Sequence, residues 1–233
     1  MIYIRKGTEP RSFIRYRHQK NASFDDMDAK VKDDLRQSLL EEQGYLCAYC
    51  MCRIHDSSDV KIEHFVARTP QNELQYSNLL AVCKGGENGP KDARSCDTKK
   101  GNRPIFINST AAADMSRIYY SNNGEVHSSD TTEYEYCYSE GDKIHRGITC
   151  PNEDLSSALN LNYENGVPLM MRKAALKQFQ KKLMPYKKKE KAFLLKMQEK
   201  YMESQAELEP YVGILRWYIA KKLHQLEKNN EAQ

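Results

Sequence analysis

Residues 44–66 read GYLCAYCMCRIHDSSDVKIEHFV, and two later stretches complete the pattern: YSNLLAVC at 76–83 and SCDTKKG at 95–101. Cys47 and Cys50 form a C-x2-C pair, and Cys83 and Cys96 form a second pair with a loop between them. Zinc is tetrahedral and takes thiolates at about 2.3 Å, which two ligands from one tight turn and two from a distant segment can satisfy. The spacing therefore assigns Cys47, Cys50, Cys83 and Cys96 to one structural zinc. A module this small has little core of its own, so metal-binding free energy would serve as folding free energy. Cys52 sits one residue beyond Cys50's neighbour, suits a shared ion poorly, and is read as a spare buried thiol.

Working outward, Ser23 and Asp26 suggest a capping box opening a helix at about 24–43. Val31, Leu35 and Leu39 recur every four residues and give that helix an apolar stripe ending at Gly44. The first cysteine pair then falls on a knuckle directly after the helix. Residues 60–66 alternate and carry branched side chains, which predicts a strand. Glu63 and His64 leave a regular strand on opposite faces, and only a bend would turn both toward one metal. Glycine, proline and charge make 84–95 a loop, and a short helix is expected after Cys96.

Glu63, His64, Asn78, Asp97 and Lys100 carry a second chemistry. Phosphodiester hydrolysis needs an activated water, charge neutralisation at phosphate and help for the leaving oxygen. A neutral imidazole can take the proton from water, and a cation held by carboxylates supplies the rest. His64 is the candidate base. Glu63 and Asp97 are candidate ligands, and their hard oxygens favour magnesium or manganese. Asn78 would brace the loop that holds His64, and Lys100, three residues after Asp97, would contact phosphate. His18, His55, His127, His145 and His224 lack such company and are read as ordinary histidines.

The 233 residues suffice for one large domain or two small ones. Hydrophobic residues make up 39% and the mean hydropathy is −0.80, which predicts a modest core with a charged helical periphery. Net charge is only +4, so nucleic acid cannot be argued from the total. Seven cysteines without an export signal fit a reducing cytosol, so a cytoplasmic location is expected; no apolar run is long enough for a membrane span. The basic start (Arg5, Lys6, Arg11, Arg15, Arg17, Lys20) reads as an extended arm over the surface, with a phosphate-contacting arm as the sharper alternative. Tyr119, Tyr120, the turn at Gly124 and Val126 predict a hairpin, and Ile144 to Cys150 a short irregular strand. The last third is helical: a lysine-rich stretch over 168–202, interrupted by Pro185, and a helix over about 208–228 with Leu208, Val212, Leu215, Ile219, Leu223 and Leu226 on one face. That stripe, with Tyr211, Trp217 and Tyr218 nearby, would dock on a partner or simply wrap the module. The lysine row would track phosphates or face solvent.

C-x2-C, EHF, NL and C-D-x-x-K together resemble the HNH nuclease signature of the ββα-metal fold. More closely, the chain resembles the PtuB-like HNH proteins of Septu and retron-associated antiphage modules. The likeness runs through GYLCAYC, IEHF, YSNLL, CDTKKG, the NNGEV hairpin, SALNLN and PYVGILRWYIAKKL. It implies that Glu63 and Asp97 occupy metal-ligand positions, His64 that of the general base and Asn78 the middle asparagine. Many HNH proteins have His or Asn where this chain has Asp97, a departure that favours hard cations. The resemblance also implies a PtuA-like ATPase partner, since the chain has no G-x4-GK[ST] loop. In retron systems it implies a reverse transcriptase with its reverse-transcribed DNA. The expected architecture is α+β: a basic arm (1–23), a zinc-stabilised ββα-metal HNH module (24–108), a β-hairpin insert (109–150) and a helical C-terminal region (151–233). The expected activity is metal-dependent cleavage of nucleic acid, with DNA the first choice. The alternatives are an RNA- or tRNA-cleaving effector and a zinc-dependent binding module that does not cut.

Overall fold

Asp28, rather than Ser23, opens the helix that feeds the cysteine knuckle. Its extended backbone lets the carboxylate accept from the Val31 amide, and α2 runs over Ala29–Glu42. Ser23 and Asp26 do bond to each other (Asp26 N to Ser23 Oγ, 3.2 Å), but they close a turn ahead of the helix rather than its first turn. Val31, Leu35, Leu39 and Leu40 face inward along α2, and the three leucines are fully buried. Each such leucine contributes about 1.5–3 kcal/mol relative to exposure. At Gly44 the backbone turns left-handed (φ 60°), and a Cβ there would lie 2.5 Å from Leu208. Glycine is thus required both by the helix stop and by a chain passing over it.

The computed structural model describes residues 1–202 and 206–231. Past the knuckle, β1 (Val60–His64) pairs antiparallel with β2 (Leu79–Cys83), placing Glu63 opposite Leu80 and His64 opposite Leu79. A 3₁₀ turn at Tyr76–Asn78 leads into β2. The knuckle is fastened to this pair from the side. Ala48 N donates to Ala81 O, and the buried Gln43 amide bonds both the N–H and the C=O of Ala81. α3 (Cys96–Lys100) follows, its first residue anchored by Cys96 N donating to Leu159 O at 2.9 Å.

The basic start is not an extended arm. Met1 and Ile4 are buried, and Arg11–Arg17 forms a helix, α1, that packs on α2 through Phe13 and Tyr16. Arg5, Arg11, Arg15, Arg17 and Lys20 lie outside, Lys6 turns in to pair with Glu42 and the Leu79 carbonyl, and apolar Met1, Ile4, Phe13 and Tyr16 face inward. After a short α4 (Ala112–Ser116) come two hairpins: β3 (Ile118–Tyr120) with β4 (Val126–Ser128), and β5 (Tyr134–Glu140) with β6 (Lys143–Thr149). β6 is a regular seven-residue strand, not an irregular one, because Tyr134, Tyr136 and Tyr138 face Thr149, Gly147 and His145 in unbroken register.

The remaining elements are helical: α5 (Pro151–Glu153) continuing into a wide turn to Ala158, α6 (Val167–Leu183), α7 (Glu190–Met202) and α8 (Val212–Glu231). Pro185 lies in a 3₁₀ bend, Met184–Lys189, that separates α6 from α7. Leu208 lies outside the final helix, held by its amide to Gly44 O, and Val212, Leu215, Ile219 and Leu223 form the buried face of α8. These residues join Phe13, Leu39, Tyr49, Leu80 and Ile107 in one continuous core. Arg172 of α6 is buried within it, donating to Gly124 O, Leu161 O and Asn162 Oδ1. Among the described residues no helix is long and apolar enough to cross a membrane.

Candidate functional site

Cys47 and Cys50 meet Cys83 and Cys96 because three separate devices bend the chain toward one point. Met51 N donates to Cys47 O and Cys47 N to Cys52 O, closing the knuckle, with Met51 in a left-handed conformation. Cys83 ends β2. Gly85 (φ 55°) then lets the loop turn back so that Ser95 N reaches Gly85 O, and a Cβ at residue 85 would lie 2.1 Å from the Ser95 carbonyl oxygen. All four sulfurs lie within 4.8 Å of one another. The separations are 3.9 Å for Cys47–Cys96, 3.7 Å for Cys50–Cys83 and 3.8 Å for Cys83–Cys96. A tetrahedral ion with metal–sulfur bonds of about 2.3 Å requires sulfurs about 3.8 Å apart, so the quartet fits a thiophilic metal without rearrangement. Four thiolates this close would repel one another, and a divalent ion would cancel that repulsion.

Glu63 projects from β1 into the interior, where Lys100 Nζ lies 2.7 Å from its Oε1 and Tyr49 Oη donates to the same oxygen at 3.1 Å. Burial pushes the Glu63 carboxyl up to about 8. The Lys100 ammonium pulls it down, and the adjacent Asp97 adds to the rise. Tyr49 is itself held protonated by burial and by the Glu63 charge, so it serves as a donor. Lys100 is almost fully buried, with its side chain 3% exposed. It is therefore committed to Glu63 rather than presented to solvent for phosphate contact as the sequence suggested.

β1 does not bend. His64 accordingly meets different partners: its ring packs edge-on to Phe24 at 4.7 Å between centroids, and Nε2 lies 2.9 Å from Glu73 O. A carbonyl can only accept, so Nε2 carries the proton, and in the neutral ring Nδ1 keeps its lone pair. Burial favours that neutral form and outweighs the Glu73 carbonyl, while the Arg68 and Lys100 charges also disfavour the imidazolium. Asn78 bonds both backbone groups of Val66, Oδ1 accepting from its N–H at 2.8 Å and Nδ2 donating to its C=O at 3.0 Å. With Phe65 N bonded to Asn78 O, the segment immediately after His64 is held on both sides.

Glu63 and Asp97 offer hard oxygen donors, the set magnesium accepts when it keeps waters and borrows substrate phosphate oxygens. They do not close a cage with His64. Among the described residues, the cysteine quartet is the one group of three or more His, Cys, Asp or Glu side chains gathered closely enough to hold an ion. Tyr49 and the Glu73 carbonyl complete the site and escaped the sequence reading. Tyr49 lies inside the C-x2-C knuckle and reads as filler, and a carbonyl has no sequence signal at all.

No family model matches the chain, and no solved structure matches it. Two curated proteins are similar. One is a protein of Escherichia coli named as a candidate HNH endonuclease of retron Ec83, 31% identical over 118 residues, covering 43% of this chain and 46% of that protein. The other is Septu protein PtuB of Bacillus thuringiensis, 28% identical over 101 residues, covering 40% of this chain and 39% of that protein. The chain thus matches less than half the length of either relative. These two proteins uphold the family likeness: the chain is related to the PtuB-like HNH proteins of Septu and retron systems.

Proposed function

We propose that this chain is a metal-dependent HNH endonuclease, the nucleic-acid-cleaving effector of an antiphage complex with a PtuA-like ATPase. The observation that carries this reading is a buried carboxylate beside a second acid, on the strand next to an imidazole whose Nε2–H is fixed and whose Nδ1 is free to accept. The order β1, β2, α3, with Glu63 on the first strand and Asp97 on the helix, supports a ββα-metal module. The quartet of sulfurs supports zinc as its structural ion.

Each residue then has a task. Glu63 and Asp97 would hold Mg²⁺ or Mn²⁺, which when bound neutralises phosphate charge and assists the leaving oxygen. His64 Nδ1 takes the proton from the attacking water. Asn78 fixes the backbone at Val66 and so the direction of the ring. Lys100 and Tyr49 orient the Glu63 carboxyl, and the Lys100 charge opposes the upward shift that burial imposes on it. Nothing in this set uses a 2′-hydroxyl, so the chemistry acts on DNA, our first choice, and equally on RNA.

The test incubates the purified chain, alone and with its ATPase, with DNA and RNA in magnesium. Cleavage that disappears in His64→Ala while the thiol-bound metal stays at one equivalent supports the assignment. Cleavage that survives His64→Ala removes His64 as the base. A chain that binds nucleic acid and never cuts it is a binding module instead.

A further inference from the structure

We propose that the bend between α6 and α7 is a nucleic-acid anchor separate from the Glu63 site, gripping the phosphates of a strand and stacking one exposed base. Over 167–202 the sequence carries eleven basic residues and two acidic ones, while the whole chain is net +4. The rest of the molecule is therefore net negative, and this region is the positive pole. Six lysines, Lys181, Lys182, Lys187, Lys188, Lys189 and Lys191, fall within eleven residues spanning the 3₁₀ bend, and all six are exposed. Among the described residues, none of them is within ion-pair distance of a carboxylate. The sole acid among these eleven residues, Glu190 at the start of α7, lies 4.0 Å from Lys222.

A merely solvated lysine face has no use for rings. Here Tyr186 sits among the lysines, 46% exposed, and stacks on Phe193 at 4.4 Å and 22°. Phe193 supports one face of the tyrosine and leaves the other available. Unpaired cations around an aromatic platform are what a single strand recognises: charge tracks the backbone, and the ring takes a base of any identity. The local charge also selects against acid-poor protein surfaces and gives binding a steep dependence on salt.

The inference shares the nucleic-acid partner of the proposed function but is read by binding, not cleavage. The full-length chain is titrated with a fluorescent 30-nucleotide single strand and with a 30-base-pair duplex across a salt series, without added magnesium. Replacing the six lysines by Gln is expected to weaken single-strand binding at least tenfold and to flatten the slope of log K against log salt by about two to four units, since each phosphate contact contributes roughly 0.7. The six Lys→Arg replacements retain affinity and slope. Tyr186→Ala weakens the single strand severalfold and spares the duplex. Unchanged affinity and slope in the Gln variant overturn the anchor, whether or not that variant loses a protein partner. So does an equal loss when Arg11, Arg15, Arg17, Lys20, Lys30 and Lys32 are replaced by Gln instead. A chain that binds through the bend and cuts nothing would defeat the nuclease reading while leaving the anchor in place.

Discussion

The sulfur quartet and the acid–histidine site flank the same pair of strands, β1 and β2, and are built in opposite ways. The four cysteines come from a knuckle, the end of β2 and the start of α3, and converge with tetrahedral spacing; no other polar side chain is needed to hold them apart. Glu63 and His64 are chain neighbours that diverge. One enters the interior to meet Lys100, Tyr49 and Asp97, and the other turns to Phe24 and the Glu73 carbonyl. The first region would be ordered by its ion, because its ligands contribute no hydrogen-bond network beyond the knuckle's backbone. The second is ordered by the protein, through a countercharge, a phenol and a carbonyl already in place. A structural metal site can be closed, whereas a reacting site has to leave positions open, and the two arrangements follow that division.

The comparison breaks most easily at the thiols. Removing the metal by chelation, or replacing Cys96 by Ala, is expected to lower the unfolding midpoint by roughly 10 °C or more, because ion binding and folding are linked. Circular dichroism during a chelator titration, with metal release followed in parallel, checks this. An unchanged midpoint would mean that the core around α2 and α8 holds the strands without the ion. Cys52→Ser, which alters no member of the quartet, should leave the midpoint within about 1 kcal/mol of the parent.

At the second region the expected change is in rate rather than in folding. His64→Ala should cost about 10²–10⁴-fold in cleavage, the usual contribution of a general base, with an unchanged melting curve. A loss of both activity and fold would merge the two regions into one structural unit.

Lys100→Met sharpens the contrast further. Above about pH 8, where Glu63 ionises, it leaves the carboxylate buried without its cation, a change that costs about 3–5 kcal/mol when one partner of a buried pair is deleted. Denaturant unfolding of the single variant, of Glu63→Gln and of the double variant measures the coupling. If Lys100→Met unfolds no more easily than the parent, the lysine is not the countercharge. The smallest effect is expected at the helix leading into the knuckle. Asp28→Ala removes the side-chain acceptor of the Val31 amide and should cost about 1 kcal/mol, detectable as a shift of the denaturation midpoint.

Several features were legible before any coordinates. The stripe of α2, its stop at Gly44 and the zinc-like cysteine spacing are local patterns, and local patterns are written in residue order. Ser23 and Asp28 both have capping side chains, and only Asp28 has an apolar stripe directly behind it, so the helix starts there. At the N-terminus the six basic residues outnumber Met1, Ile4, Phe13 and Tyr16, and it is these four apolar residues whose burial decides the conformation. The spacing of Lys100 from Asp97 is a feature of residue order, whereas its ion pair with Glu63 joins α3 to β1 and has no signal in the sequence.

What the residues alone determined is which groups are available: four thiols, two acids, an imidazole, an asparagine and a lysine-rich bend, each at a spacing that suits its element. Tertiary structure alone decided which of them meet. Spacing suggests each half of the thiol cluster, but Cys50 and Cys83 are 33 residues apart and meet only because the knuckle bonds to Ala81 of β2. The direction in which Glu63 and His64 point depends on an unbent strand, on Lys100 across the gap from α3 and on a carbonyl nine residues away. Such contacts are chosen by how the whole core packs.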